Sequence, residues 1–93
     1  DQESGNANGA PQLVRRAQRS SWSRVLGDEY AALQARAGRG EASLIGDYGA
    51  TDPGEFFAVI SEVFFEQPHA MAQEHPALYR ELSQFYQLDP LSW

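Results

Sequence analysis

The stretch Asp52-Pro-Gly-Glu-Phe-Phe-Ala-Val-Ile-Ser-Glu-Val-Phe-Phe-Glu-Gln-Pro68 most constrains what this chain can become. A proline stands near each end, and seven residues between them are large and apolar: Phe56, Phe57, Val59, Ile60, Val63, Phe64 and Phe65. Asp52 suits a helix N-cap, Pro53 the first helical position and Glu55 the third, so the spacing predicts a helix over 52–67, closed by Gln67-Pro68. The apolar residues take up most of the circumference, which is the pattern of a helix buried on nearly all sides. Two carboxylates interrupt that pattern. Glu55 and Glu62 lie seven residues apart, and at about 100° per residue positions 55, 58, 59, 62 and 66 share one side.

Glu55 has a structural explanation. Asp52 and Glu55 have capping-box spacing, in which the third-position carboxylate reaches back to the cap's N–H, and spacing alone favours capping over chemistry. Glu62 is different, because it sits mid-helix between Ile60 and Val63. A buried carboxylate needs a cation, a metal or several donors, or it takes up a proton. The face carrying both glutamates is therefore expected to point at something charged or hydrogen-bonding.

The rest of the chain offers few candidates for that partner. Its only histidines, His69 and His75, lie beyond Pro68 at a spacing that does not match a helical ligand pair, so they read as surface or internally satisfied residues. A catalytic zinc site needs about three protein ligands and an open position, and this chain alone does not supply a convincing set. The absence of cysteine removes disulfides, thiol nucleophiles and thiolate metal sites. No GxSxG elbow, P-loop or GxGxxG is present.

Around this helix the chain reads as all-α with three main helices in one helical subdomain over 1–93. Residues 1–10 are polar and rich in Gly and Asn, and are expected to form a loop. Residues 11–37 are dominated by helix formers. Trp22, Val25, Leu26, Tyr30 and Leu33 make a helical stripe, which Gly27 and the serines at 20, 21 and 23 weaken enough to allow a break near Ser20. Gly38 is the expected C′ residue. A connection over 38–51 has Leu44, Ile45 and Tyr48 as apolar anchors, and residues 69–75 read as a short helical turn or loop. A last helix over 76–88 carries Leu78, Tyr79, Leu82, Phe85 and Tyr86 as its buried stripe, and Asp89-Pro90 stops it.

With 93 residues, the chain can bury roughly 60–65% of the surface it exposes when unfolded, a modest core without a deep enclosed site. Aromatic residues at 12% exclude wholesale disorder. A net charge of −6 argues against nucleic acid as the main partner. All seven basic residues are arginine, six of them between Arg15 and Arg39, and they read as a solvated helix face. No apolar run approaches the roughly 20 residues of a membrane span. The chain begins at Asp1 without methionine, so its beginning is expected to be a cut with a segment missing upstream.

Tyr48, Asp52-Pro53, Glu55-Phe56-Phe57-Ala58-Val59, Ser61-Glu62 and Phe64-Phe65, followed by Phe85-Tyr86 and Asp89-Pro90, closely resemble the Mlc titration factor A family of zincin-like zinc metallopeptidases. The match is dense in the second half. In the first half, Gly5 to Pro11 resembles the Gly/Asn-rich loop that follows the family's HExxH helix, and Asp1 the aspartate that ends that run. The resemblance implies the C-terminal helical half of a cytoplasmic zinc peptidase. Glu55 would be the third zinc ligand, joining two histidines of HExxH, and Glu62 a carboxylate on the same face that orients a ligand. Tyr48 could donate a hydrogen bond to a developing oxyanion, or be a core anchor. The implied partners are peptide substrates and an Mlc-type transcriptional repressor, in the regulation of glucose uptake.

The chain itself lacks HExxH, so these 93 residues alone are expected to bind no tight zinc and to hydrolyse nothing. Gly49 and Gly54 stand where the family pattern has alanines, and are expected to loosen the turn and the helix start. The alternative is a non-catalytic helical interaction module whose carboxylates are structural. On the peptidase reading, the face meant for the missing HExxH helix is expected to be exposed and apolar, and to drive self-association.

Overall fold

The computed structural model describes residues 10–93, with side chains from residue 15 onward. The expectations for Asp1 and the Gly/Asn-rich stretch therefore lie outside the described residues, and of the expected loop only Ala10 is described, as helix. The described chain is all-α: α1 Ala10–Gly38, α2 Pro53–Glu66, α3 Pro68–Glu74 and α4 Pro76–Tyr86, with short 3-10 turns at Asp47–Ala50 and Pro90–Ser92. There is no strand among the described residues.

α1 runs unbroken through Ser20 and Gly27. Its stripe explains why. Leu33 is fully buried, and Trp22, Val25, Leu26 and Tyr30 pack against the core, so tertiary burial outweighs the weak local propensity of serine and glycine. The helix ends two residues later than Gly38 suggests. Gly40 has φ +71°, its N–H bonds the Ala37 carbonyl at 3.0 Å, and the Glu41 N–H bonds the Arg36 carbonyl at 3.0 Å. That pair of bonds is a Schellman cap with Gly40 at C′.

Three prolines open the next three helices. Pro53, Pro68 and Pro76 each sit where a missing N–H is harmless, and all start within a turn of the preceding stop. Residues 68–74 form two turns of helix, the helical one of the two forms, short helical turn or loop, that the sequence allowed for 69–75. Gln67 ends α2 and begins α3, and His75 ends α3 and begins α4, so each junction is a single residue.

The core is built on α2. Phe56, Ile60, Val63 and Phe64 meet Met71 of α3, Leu78, Tyr79 and Leu82 of α4, Leu33 of α1 and Ile45 of the connection. Burying each such side chain contributes roughly 1.5–3 kcal/mol. Polar ties hold α1 to this core. Ser21 donates to Glu81, and His75 Nδ1 lies 2.9 Å from Glu29 Oε1.

Three sequence expectations are corrected here. α2 is not buried on all sides: Ala58, Glu62, Phe65 and Glu66 are exposed along one face, because no element of the described chain lies over it. Phe85 is 56% exposed, since it stacks at the margin of α1 rather than beneath it. Tyr48 is 64% exposed and is not a core anchor, because the turn that carries it buries Gly49 instead.

The molecule is elongated, with extents of 51 × 29 × 18 Å. The cause is α1, whose 29 residues span roughly 43 Å at 1.5 Å each. Its first half overhangs the bundle, and Arg15 to Ser20 are exposed.

Candidate functional site: the carboxylate face of α2

Glu55 is placed by the cap of its own helix. Asp52 is extended (φ −162°), and its Oδ1 accepts the Glu55 N–H at 2.9 Å. The reciprocal half of the capping box does not form, since the Glu55 carboxylate makes no bond to the Asp52 N–H. The capping that spacing favours for Glu55 is therefore only half made. Asp52 does the capping, and the Glu55 carboxylate is free to turn toward Tyr48.

Tyr48 is placed by the turn Asp47–Ala50, which α1 pins from below. The Tyr30 hydroxyl and Gln34 Nε2 both donate to the Ala50 carbonyl, at 3.4 Å each. Gly49 faces inward, and a Cβ there would lie 3.3 Å from both Leu33 Cδ2 and Ile45 Cγ2. Gly49 is thus a point of close packing and not the loosened turn expected from the sequence. With Gly49 seated inward, its neighbour Tyr48 points out over the start of α2. The phenol's pKa is raised above its ordinary value, first by hydrogen bonding to the Glu55 carboxylate and then by that carboxylate's charge.

Glu62 lies two turns along the same face and is exposed. It is not buried, so the demand for a partner argued from its apolar neighbours does not arise within the described chain. Glu55 and Tyr48 are brought together; Glu62 shares their face without joining them. His69 is exposed, and His75 is held by Glu29, so neither histidine approaches α2's carboxylates.

Among the described residues no three His, Cys, Asp or Glu side chains converge on one point. These residues do not by themselves make a zinc site. They do fit a single ligand position: a half-exposed carboxylate, released from its cap, beside a phenol and with no described arginine or histidine in ion-pair range.

Sequence reasoning missed Glu81, the one charged residue of the described chain that is buried, at 5% exposure. The signal was present. Glu81 follows Leu78 by three residues and precedes Phe85 by four, which puts it on the flank of α4's apolar stripe.

The family profile described as glucose-regulated metallo-peptidase M90 matches residues 1–87. The chain belongs to this metallopeptidase family. It is 38% identical over 91 residues to an uncharacterised protein of Synechocystis, covering 98% of this chain and 33% of that protein. It is 37% identical over 90 residues to Mlc titration factor A of Edwardsiella ictaluri, covering 94% of this chain and 34% of that protein. Over 50 residues, 54% of this chain and 19% of the relative, identity to Mlc titration factor A of Escherichia fergusonii reaches 54%. The chain thus spans about a third of the length of the curated relatives it matches most fully. No solved structure matches it. No described helix is long and apolar enough to cross a membrane.

Proposed function

We propose that this chain is the helical part of a cytoplasmic zinc peptidase of the Mlc titration factor A type, and that Glu55 is its contribution to the metal. In this reading two histidines and a general-base glutamate come from an HExxH helix upstream, and Glu55 completes the ligand set. Zinc would polarise a scissile peptide carbonyl and activate water. This chain's own share is to hold a carboxylate in place and to set a phenol beside it. Tyr48, exposed over Glu55, would donate a hydrogen bond to the oxyanion that develops. Glu62, on the same face, would accept from a metal-bound histidine and orient it. The relatives' name, Mlc titration factor A, and the family's description as glucose-regulated support an Mlc-type repressor as partner and a role in regulating glucose uptake.

The observation that carries the reading is the half-made capping box. A carboxylate three residues beyond an aspartate cap ordinarily closes the box. Here it does not, and it stands next to the exposed Tyr48 on the face of α2 that the described chain leaves open.

The test compares this chain with the same chain extended upstream to include HExxH. The extended protein is expected to hold about one zinc, measured by metal analysis after dialysis, and to lose both metal and peptidase activity on Glu55→Ala. Retention of zinc in that variant would leave Glu55 a residue of the helix start only, and the interaction-module reading would stand in its place.

A further inference from the structure

A second site lies away from the α2 carboxylates, between the overhanging half of α1 and the outer flank of α4. Arg15, Gln18, Arg19 and Trp22 fall at helical spacing on one face of α1 and meet Glu81, Gln84 and Phe85 at the same spacing on α4. The two faces diverge to leave a cleft of about 410 Å³, within the range of sites that take a small ligand or a short peptide. Each wall contributes an aromatic ring, Trp22 of α1 stacking on Phe85 of α4 at 4.9 Å and 29°. The floor is Glu81, buried and holding the Ser21 hydroxyl.

The charge of this cleft runs against the rest of the chain. The protein carries a net −6, yet four of its seven arginines, Arg15, Arg16, Arg19 and Arg24, crowd the exposed first half of α1. Two of them line the cleft. Neither pairs with a described carboxylate, not even with Glu81 in the same cleft. Glu81 is committed below to Ser21, and the guanidinium groups stand at the solvent edge. A ligand entering from solvent meets two cations first, then the stacked rings.

We infer that this cleft is a docking site for an acidic peptide segment, one carboxylate side chain pairing with Arg15 and Arg19 while an adjacent aromatic or aliphatic side chain lies on Trp22 and Phe85. Guanidinium groups recognise carboxylates through paired N–H donors. The stacked rings present the flat apolar surface that a neighbouring side chain needs. Gln18 and Gln84, one from each wall, supply donors and acceptors for the peptide backbone. The inference is independent of the metal reading, since none of these residues touches Glu55, Tyr48 or Glu62.

The test is calorimetric titration of the intact protein with two blocked peptides, acetyl-Glu-Phe-Glu-amide and acetyl-Lys-Phe-Lys-amide. The acidic peptide is expected to bind and to weaken as salt rises. Its affinity should fall about tenfold for each of Arg15→Ala and Arg19→Ala, the worth of one charged hydrogen bond. Phe85→Ala is expected to weaken it without changing the salt dependence. The arginines and Phe85 are exposed, so these variants keep the fold, which circular dichroism checks. Preferential binding of the lysine peptide, abolished by Glu81→Gln, would assign the cleft to cations and overturn the proposal. Equal binding by the double arginine variant, or no binding of either peptide, would overturn it as well.

Discussion

At the scale of single residues, the contact between Tyr48 and Glu55 is the most specific feature of the open face. It makes a titration prediction with a definite sign. A carboxylate beside a phenol disfavours the phenolate, so Tyr48 ionises above the ordinary tyrosine range. Glu55→Gln removes the charge, and the Tyr48 transition is expected to move to lower pH. Ultraviolet difference titration of the two proteins, with Tyr48→Phe to assign the transition, measures this directly. A Tyr48 transition that stays put in Glu55→Gln would mean that the two groups do not interact. The aspartate one turn earlier shows how local the division of labour is. Asp52 takes the backbone donor and leaves its partner's oxygens unspent.

At the scale of elements, α1 is held by its tertiary contacts and closed by one backbone conformation. Gly40 sits at φ +71°, where an L-residue meets its own carbonyl. Nothing surrounds its missing Cβ, so Gly40→Ala tests conformation and not space. The variant is expected to lose about 1 kcal/mol, read as a lowered denaturation midpoint. Gly38→Ala, inside the helix, is expected to be neutral or slightly stabilising. These two glycines also mark what the sequence conveys. Helix type, the Asp52 cap, the proline starts at Pro53 and Pro76 and most of the buried stripes were legible, because each is written in residues a few positions apart; Pro68 read as a stop and is also a start. The C′ glycine was ambiguous because Ala-Gly-Arg-Gly offers two candidates and only the backbone decides. The exposure of Phe85 was not legible, and that of α2's carboxylate side was expected only through the resemblance, as a face meant for a missing helix. A helix with apolar residues nearly all round reads as buried whether or not the chain at hand contains what covers it. Glu81's place beside the apolar stripe was legible in its spacing, but its partner, Ser21, lies 60 residues away and was not. For the candidate site, Glu55, Glu62 and Tyr48 were visible through the family resemblance. That Glu55 is let go by its cap was visible only in the fold.

At the scale of the whole molecule, apolar surface remains uncovered on one flank. Phe65 packs on Tyr86 at 5.0 Å and on Trp93 at 6.4 Å, and Tyr86 adjoins Phe85 at 4.9 Å, so the exposed rings form one continuous aromatic path from α1 to the last turn. Exposure reaches 37% at Phe65, 56% at Phe85 and 74% at Trp93, and contiguous surface of this kind favours association. The 93-residue chain is therefore expected to self-associate at tens of micromolar, on the order of a weak apolar contact. Sedimentation velocity over a concentration series measures it. Phe65→Ser with Trp93→Ser is expected to return a monomer, and a wild-type chain that is monomeric throughout the series would refute the expectation.

The single-residue junctions at Gln67 and His75 have a mechanical consequence. Helices joined by longer loops can tilt against each other while the loop absorbs the change. Here two successive joints have no spare chain: each has a proline on its far side, and each joint residue is bonded to both helices, Gln67 donating to the Val63 carbonyl and accepting from the Met71 N–H, His75 donating to the Met71 carbonyl and accepting from the Tyr79 N–H. A change in the angle between α2 and α4 therefore has to be taken up in the packing between the helices, because the joints have no slack to absorb it.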